Sequence, residues 1–196
     1  MKDITNNEMR AMLTILKSPE IEYNANNLSK AIGISSMGTL KILKRLNREN
    51  ILVSKEFGKA IFYRINFNSL YARDYLKFLL KREAENPPNV DSKVWIYDIR
   101  SKIKNADLAV LFGSVLKKGK EANDVDILFV TDQERLNNLK KEIEDLQLIS
   151  KKKMHPMFQN EQDIKDNIKR LDRPLLSAIK GIVVLGEEKI IEVLAG

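Results

Sequence analysis

Two short apolar runs constrain the fold of this chain most, because only 12 residues connect them. The runs are residues 107–112 (DLAVLF) and 125–130 (VDILFV), and the connection carries glycine at positions 113 and 119. A short, continuous apolar run of this kind indicates a buried strand. With so short a connection, antiparallel pairing of the two strands is the simplest arrangement.

The residues at the two ends of this connection form a candidate site. Antiparallel pairing would place Gly113 and Ser114 beside Asp124 and Asp126, at the start of the second strand. Side chains two positions apart share a face, so both carboxylates would point the same way from points roughly 6–7 Å apart. Paired carboxylates suit Mg²⁺, which completes its shell with water and phosphate oxygens. Gly113 and Ser114 are predicted to bind phosphates, since glycine lets the backbone approach a ligand closely.

The rare residue types exclude several kinds of site. The chain has no cysteine, which excludes disulfide bonds, thiolate zinc sites and a cysteine nucleophile. His155 is its single histidine, so one chain cannot hold a cluster of several histidines. No apolar run approaches the roughly 18 residues that span a bilayer, and the start MKDITNNEMRAML lacks a signal-peptide core. We therefore expect a cytoplasmic protein without a membrane partner.

Charge and proline content divide the chain into two parts. Residues 1–82 contain 15 Lys and Arg against 7 Asp and Glu, a net charge of +8, whereas residues 83–196 have a net charge of −1. The stretch EAENPPNVD (residues 83–91) favours extended chain over helix. The prediction is a basic domain at 1–82, a linker at 83–91 and a second domain at 92–196. A basic domain of this kind favours a polyanionic partner.

The first domain shows a helical pattern followed by a hairpin. Predicted helices cover residues 7–17, 26–32 and 36–50, a hairpin turns at Gly58, and a packing helix covers residues 68–82. The stretch LSKAIGISSMGTLKILKRL, followed by ILVSKEFGKAIFYRI, resembles winged helix-turn-helix DNA-binding domains, and the resemblance covers about residues 5–67. It implies double-stranded DNA as a partner, and the helix order, the turn and the wing all agree with it.

The winged-domain resemblance implies that the third helix enters the major groove. Near its N-terminus, Ser36, Met37 and Thr39 would meet base edges. Phosphate contacts would come from the helix and from the wing, through Lys41, Lys44, Arg45, Arg48, Lys55 and Lys59. The alternative is that these cations form only a solvated face. A homodimer is the default for such proteins, and the packing helix at residues 68–82 is either a dimer contact or the cover of its own core.

The second domain resembles the minimal nucleotidyltransferases of the DNA polymerase beta superfamily. The resemblance rests on Gly113-Ser114, a spacer, and Asp124-Val125-Asp126 leading an apolar strand. It extends to RPLLSAIKGIVVLGEEKIIEVL, which looks like the closing helix, short strand and final helix of those domains. The resemblance implies an α+β chain with a mixed sheet, Mg²⁺, a nucleoside triphosphate, with ATP expected, and transfer of a nucleotidyl group to a hydroxyl. Asp124 and Asp126 would be the catalytic, metal-binding pair.

One expected residue of that family is missing. The family has a third carboxylate on a following strand, but the strand candidate after the predicted helix 133–146, LISKKKMHPMFQN, contains no acid. Glu161 and Asp163 come just after it, where they are expected to open a helix. His155 lies on this strand and could accept a proton, and the alternative is a structural or exposed histidine. The absence of this acid argues against the transfer step but does not exclude nucleotide binding.

Three functional hypotheses follow from the two resemblances. The first is a DNA-binding transcriptional regulator whose second domain binds a magnesium nucleotide and has lost catalysis. The second is an active nucleotidyltransferase that modifies a hydroxyl of a protein, an RNA or a small molecule, with the winged domain recruiting it. The third is an antitoxin-like module that binds another protein.

Overall fold

The computed structural model describes residues 4–196, which form an α+β protein with two sheets. The chain divides into two compact units, one ending at Leu79 and the other running from Leu80 to Leu194. None of the helices in the described range is both long and apolar enough to cross a membrane.

The first unit begins with three helices and continues with a two-stranded hairpin and a fourth helix. Their bounds are α1 (Asn6–Lys17), α2 (Ala25–Ile32), α3 (Ser36–Arg48), β1 (Leu52–Phe57), β2 (Ala60–Ile65) and α4 (Leu70–Glu85), which continues into the second unit. The three predicted helices and the hairpin are confirmed, with shifts of one or two residues at their ends.

Capping residues explain where these helices begin and end. Asn24 caps α2 in a reciprocal box with Asn27, and Gly33 ends the helix with a φ of 66°. Ser35 caps α3 by accepting a hydrogen bond from the Gly38 amide at 3.1 Å. Each cap satisfies amide or carbonyl groups that have no partner within the helix. The short turn between α2 and α3 therefore follows from local sequence.

The hairpin has a two-residue turn. Phe57 pairs with Ala60 at its end, and Gly58 has a φ of 58°, which glycine adopts without strain. Asn47 on α3 connects the helix to the hairpin, because its side-chain amide donates to the Leu52 carbonyl at 2.9 Å. The strand pair therefore has a defined position relative to α3.

A buried acid connects three helices of the first unit. The Glu8 side chain on α1 is only 3% exposed, forms an ion pair with Arg45 on α3 and accepts a hydrogen bond from the Tyr75 hydroxyl on α4 at 2.7 Å. A buried carboxylate is tolerated only when it is paired and hydrogen-bonded. Glu8 therefore links α1, α3 and α4 through two partners that lie far from it in the sequence.

We predict that Glu8→Ala destabilises the first unit by about 2–3 kcal/mol, because it leaves Arg45 without its buried partner. Urea denaturation followed by far-ultraviolet circular dichroism measures the change, and fluorescence of Trp95, the single tryptophan, reports on the second unit separately. The control is Glu56→Ala, at an exposed position of β1. Equal stability of the two variants would contradict the role of Glu8.

The second unit is built around a four-stranded sheet. Its elements are α5 (Val90–Lys102), β3 (Leu108–Phe112), α6 (Ser114–Lys118), a 3-10 turn (Gly119–Glu121), β4 (Asp124–Val130), α7 (Leu136–Ile149), β5 (Lys153–Gln159), α8 (Glu161–Lys169), α9 (Arg173–Ile179), β6 (Ile182–Leu185) and α10 (Glu187–Ala195). The strand order is β5-β4-β3-β6.

The sheet is mixed, as predicted. β3 pairs antiparallel with β4, with Phe112 opposite Asp126, and also antiparallel with β6. β4 and β5 are parallel, and α7 makes the crossover between them. The expected closing helix, short strand and final helix are α9, β6 and α10.

One face of β4 packs in the core of the second unit, and the other carries the candidate site. Val125, Ile127 and Phe129 are buried in one cluster with apolar residues of α5 and α7. Side chains alternate along a strand, so Asp124 and Asp126 project from the opposite face. On that face Leu128 and Val130 are buried, whereas the two carboxylates at its start are partly exposed.

Two predicted boundaries are wrong. The predicted linker 83–91 is helical at both ends, because α4 continues to Glu85 and Asn89 caps α5 by accepting from the Ser92 amide at 2.9 Å. The helix expected at 133–146 is α7, which extends to Ile149 and takes two residues assigned to the next strand. Gln147 forms the turn after it, accepting from the Met154 amide at 2.7 Å and donating to the Lys152 carbonyl at 3.1 Å.

Candidate functional site

The predicted convergence at the end of β3 is present. Gly113 and Ser114 follow β3 directly, and the Ser114 hydroxyl donates to Oδ1 of Asp124 at 3.3 Å. Gly113 has a φ of 80°, and a Cβ at this position would collide with the Asp126 carboxylate. Only glycine allows this approach without displacing the carboxylate. The ends of the connection therefore meet although Asp124 is 11 positions after Gly113.

The two carboxylates are partly solvated and share one face of β4. The side chains of Asp124 and Asp126 are 38% and 29% exposed, while Val125 between them is buried. Burial raises the pKa of Asp126, and the negative charge of Asp124 raises it further, whereas His155 partly offsets both effects. A cation bound between the carboxylates would relieve this repulsion.

The connection between the two ends is ordered by residues that the sequence analysis did not single out. The Asn89 side-chain amide donates to the Val115 carbonyl at 3.0 Å, and the ammonium of Lys152 donates to the Gly119 carbonyl at 2.6 Å. The lysine-rich middle forms α6 and the 3-10 turn. Asn89 lies in the segment predicted to be a linker, so its sequence context pointed away from this role.

His155 completes a group of three potential ligands. It lies on β5 directly opposite Asp126, in the parallel pairing of β4 and β5. Its Nδ1 is 3.5 Å from Oδ2 of Asp124 and 3.8 Å from Oδ1 of Asp126. One ligand atom from each residue lies within 4.8 Å of the others. The sequence placed His155 on the strand, but only the register shows that it faces the carboxylates.

Glu161 and Asp163 do not replace the missing carboxylate. They open α8, as predicted, but α8 follows the end of β5 that lies beside Val130, roughly 20 Å along the strand from Asp124. Glu161 is also occupied by Lys165 and Lys189, each at 2.6 Å, and these cations lower its pKa to about 2. His155 is therefore the third potential ligand that lies beside Asp124 and Asp126.

The structure shows one exposed cationic stripe on α3. Met37, Lys41, Lys44 and Arg48 follow each other at intervals of four, three and four residues, which places them on one side of the helix. All four are exposed, and Met37 is 64% exposed. We refer to these four residues as the α3 stripe.

Two residues predicted to contact DNA lie outside the α3 stripe. Thr39 is completely buried, because it shares a face with Leu43 and Leu46, and its hydroxyl donates to the Ser35 carbonyl at 3.1 Å. Arg45 is engaged with Glu8. The spacing of Thr39 relative to Leu43 and Leu46 was the signal that could have placed Thr39 inside.

The remaining predicted positions are accessible. The exposed Ser36 donates its hydroxyl to Oδ1 of Asn26 at 2.7 Å, which ties the start of α3 to α2. Lys55 and Lys59 are exposed on the hairpin, and the Lys55 ammonium lies 4.6 Å from the Phe57 ring centroid. Arg64, on β2, is a further exposed cation of the hairpin that was not among the predicted residues.

The packing helix has two different faces. Ala72, Tyr75 and Leu76 on α4 are buried, whereas Leu70 and Tyr71 are exposed. The two readings of this helix, as a core cover and as a contact surface, therefore describe different sides of it.

The donor set fits a divalent cation. Two carboxylates and one imidazole converge on a small volume beside a glycine whose missing Cβ leaves the approach open. No protein-family model matches the chain, and none of the curated proteins matches it either. The chemistry of the site therefore rests on these residues, which can hold a cation and present backbone and hydroxyl groups to an anion.

We predict that Gly113→Ala destabilises the second unit by about 2 kcal/mol, because the added methyl group meets the Asp126 carboxylate and the backbone conformation is strained. Gly58→Ala is the control, since Gly58 also has a positive φ but open space around its Cβ position. It should cost only about 1 kcal/mol, in the first unit. Urea denaturation measures both variants, and a Gly113→Ala cost no larger than that of Gly58→Ala would contradict the close approach.

Proposed function

We propose that this chain is a DNA-binding transcriptional regulator whose second unit is a nucleotidyltransferase-like domain that binds a magnesium nucleotide. The observation that carries the proposal is the convergence of Gly113-Ser114 with Asp124 and Asp126 at one end of the paired strands β3 and β4. It joins a group that can bind phosphate to a group that can bind a cation, as a metal-bound nucleoside triphosphate requires.

The α3 stripe supports DNA binding by the first unit. Its cations project away from the buried side of α3, and the wing adds Lys55, Lys59 and Arg64. In this proposal α3 enters the major groove of double-stranded DNA, Ser36 and Met37 meet base edges, and the lysines and arginines contact phosphates. A homodimer would present two copies of α3 to two half-sites.

We predict that the combined variant Lys41→Ala, Lys44→Ala and Arg48→Ala weakens duplex binding about tenfold or more at low salt. Because each lost phosphate contact removes about 0.9 from the slope of log K against log salt, the slope should fall by about 2–3. Fluorescence anisotropy with a labelled duplex over a salt series measures both quantities.

Lys102→Ala is the control for this experiment, since Lys102 is an exposed cation of the second unit. It should leave affinity and slope almost unchanged. The winged-domain proposal fails if the unmodified chain shows no salt-dependent duplex binding.

In the second unit, the position of each site residue determines the role that we propose for it. Asp124 and Asp126 would hold the Mg²⁺, which neutralises phosphate charge when bound. The Gly113 backbone and the Ser114 hydroxyl would hold the terminal phosphates of the nucleotide, with ATP the expected one. The hydrogen bond between Ser114 and Asp124 keeps the anion-binding and cation-binding groups at a defined separation.

We predict that Asp124→Asn lowers the affinity for the magnesium nucleotide by about tenfold or more, because it removes one of two charged metal ligands. Isothermal titration calorimetry with ATP, GTP, CTP and UTP, each with Mg²⁺ and with EDTA, measures the effect. Asp145→Asn, at an exposed position of α7, should bind like the unmodified chain. The absence of magnesium-dependent binding for all four nucleotides would refute this half of the proposal.

An active nucleotidyltransferase is the second candidate, because Asp124 and Asp126 are also the pair that would hold the metal for transfer. Incubation with labelled nucleotides and cell extract separates the two functions. Label transfer to a protein, an RNA or a small molecule that disappears in Asp124→Ala supports the enzyme. Tight nucleotide binding without any transfer supports the regulator.

A protein contact is a further candidate role, and the exposed Leu70, Tyr71 and Phe78 of α4 favour it. We propose a second copy of this chain as the occupant, consistent with a DNA-binding homodimer. Light scattering of the purified chain measures its mass. A monomer that retains another protein in a pull-down would instead support the antitoxin-like function.

A further inference from the structure

The register of β4 and β5 makes a histidine, and not an acid, the third residue of the cluster with Asp124 and Asp126. His155 faces Asp126 across the parallel pair β4 and β5, so its ring lies on the same face of the sheet as both carboxylates. Its side chain is 46% exposed, and no hydrogen bond engages it among the described residues. Its nitrogen lone pair can therefore be directed to a third species at this site.

The distances fit a shared ion. Ligand atoms about 2.1 Å from one ion and about 90–110° apart lie roughly 3.0–3.4 Å from each other. The distances from Nδ1 of His155 to the two carboxylate oxygens are 3.5 and 3.8 Å. Both exceed a good hydrogen bond, and both need only small side-chain rotations to reach coordination.

The chemistry of the donor atoms then determines which ion is preferred. Mg²⁺ selects oxygen ligands, whereas imidazole suits first-row transition ions and carboxylates suit Mn²⁺ as well. We infer that His155 is the third metal ligand of this site, and that the site prefers a divalent transition ion such as Mn²⁺ over Mg²⁺. This inference rests on the proposed metal-dependent nucleotide site, and it specifies the cation of that site.

In the family that the second unit resembles, a third carboxylate helps to hold the metal and can also accept a proton. A histidine bound to the ion would perform only the first of these tasks. An imidazole whose Nδ1 is bound to the ion contributes to holding the cation, but that atom cannot accept the proton of an attacking hydroxyl. Asp124 and Asp126 are engaged as ligands as well. The site therefore holds a metal nucleotide without offering a free base among these three residues, which favours binding over transfer.

The single histidine makes the test direct. Mn²⁺ is added to the purified full chain after removal of any histidine tag, and electron spin echo measurements detect nitrogen coupled to the bound ion. Because the chain contains one histidine, an imidazole coupling can come only from His155. This readout needs neither a nucleotide nor catalytic turnover.

The second measurement is metal preference. The free Mn²⁺ resonance signal gives the Kd for Mn²⁺, and its recovery on addition of Mg²⁺ gives the Kd for Mg²⁺. The unmodified chain should bind Mn²⁺ at least about tenfold more tightly than Mg²⁺, and His155→Asp should reduce that ratio by about tenfold because it restores an all-oxygen set. His155→Ala should weaken Mn²⁺ binding, and Asp145→Asn is the matched control that should not.

The outcomes distinguish this inference from the proposed function. An imidazole coupling together with the loss of preference in His155→Asp supports the inference. Mn²⁺ bound without nitrogen coupling, and with equal affinity in the His155 variants, overturns it while leaving the site at Asp124 and Asp126 intact. No binding of either ion, with or without ATP, overturns both. Circular dichroism confirms that each variant is folded.

Discussion

The antiparallel register of β3 and β4 is the constraint on which the second unit depends. With Phe112 opposite Asp126, the chain must turn back at Gly113, and the carboxylate occupies the space in which any other residue would carry its Cβ. Hydrogen bonding of the strands and burial of Val125, Ile127 and Phe129 hold this register. A slip by one residue would move both aspartates to the core face. The register that packs the core is therefore also the register that brings the site residues together.

The first unit depends on a different kind of interaction, a buried charge. Glu8 joins α1 to Arg45 on α3 and Tyr75 on α4, and this arrangement uses an arginine that would otherwise extend the cationic side of α3. Positions on one helix thus have separate tasks. Thr39, Leu43 and Leu46 pack inward, Arg45 fixes the helix to its neighbours, and the α3 stripe remains available to a polyanion.

At the start of β4, the parallel neighbour β5 places a histidine beside the two carboxylates, so the cluster has one nitrogen donor and two oxygen donors. An imidazole in this position changes which ions would fit the proposed metal site. In the proposed regulator, the cluster would hold a metal nucleotide without a free base for transfer. The proposed loss of transfer is therefore compatible with this three-residue cluster.

The amino-acid sequence by itself determined the elements that carry local signals: the capped helices α2 and α3, the hairpin at Gly58, and the strands on either side of Gly113 and Asp124. It also indicated the convergence of that pair, because a short connection limits how the strands can meet. Only the tertiary structure decided that Arg45 pairs with Glu8, that Asn89 and Lys152 order the connection, and that His155 faces Asp126. These outcomes depend on partners distant in the chain, whose register and burial no local pattern encodes.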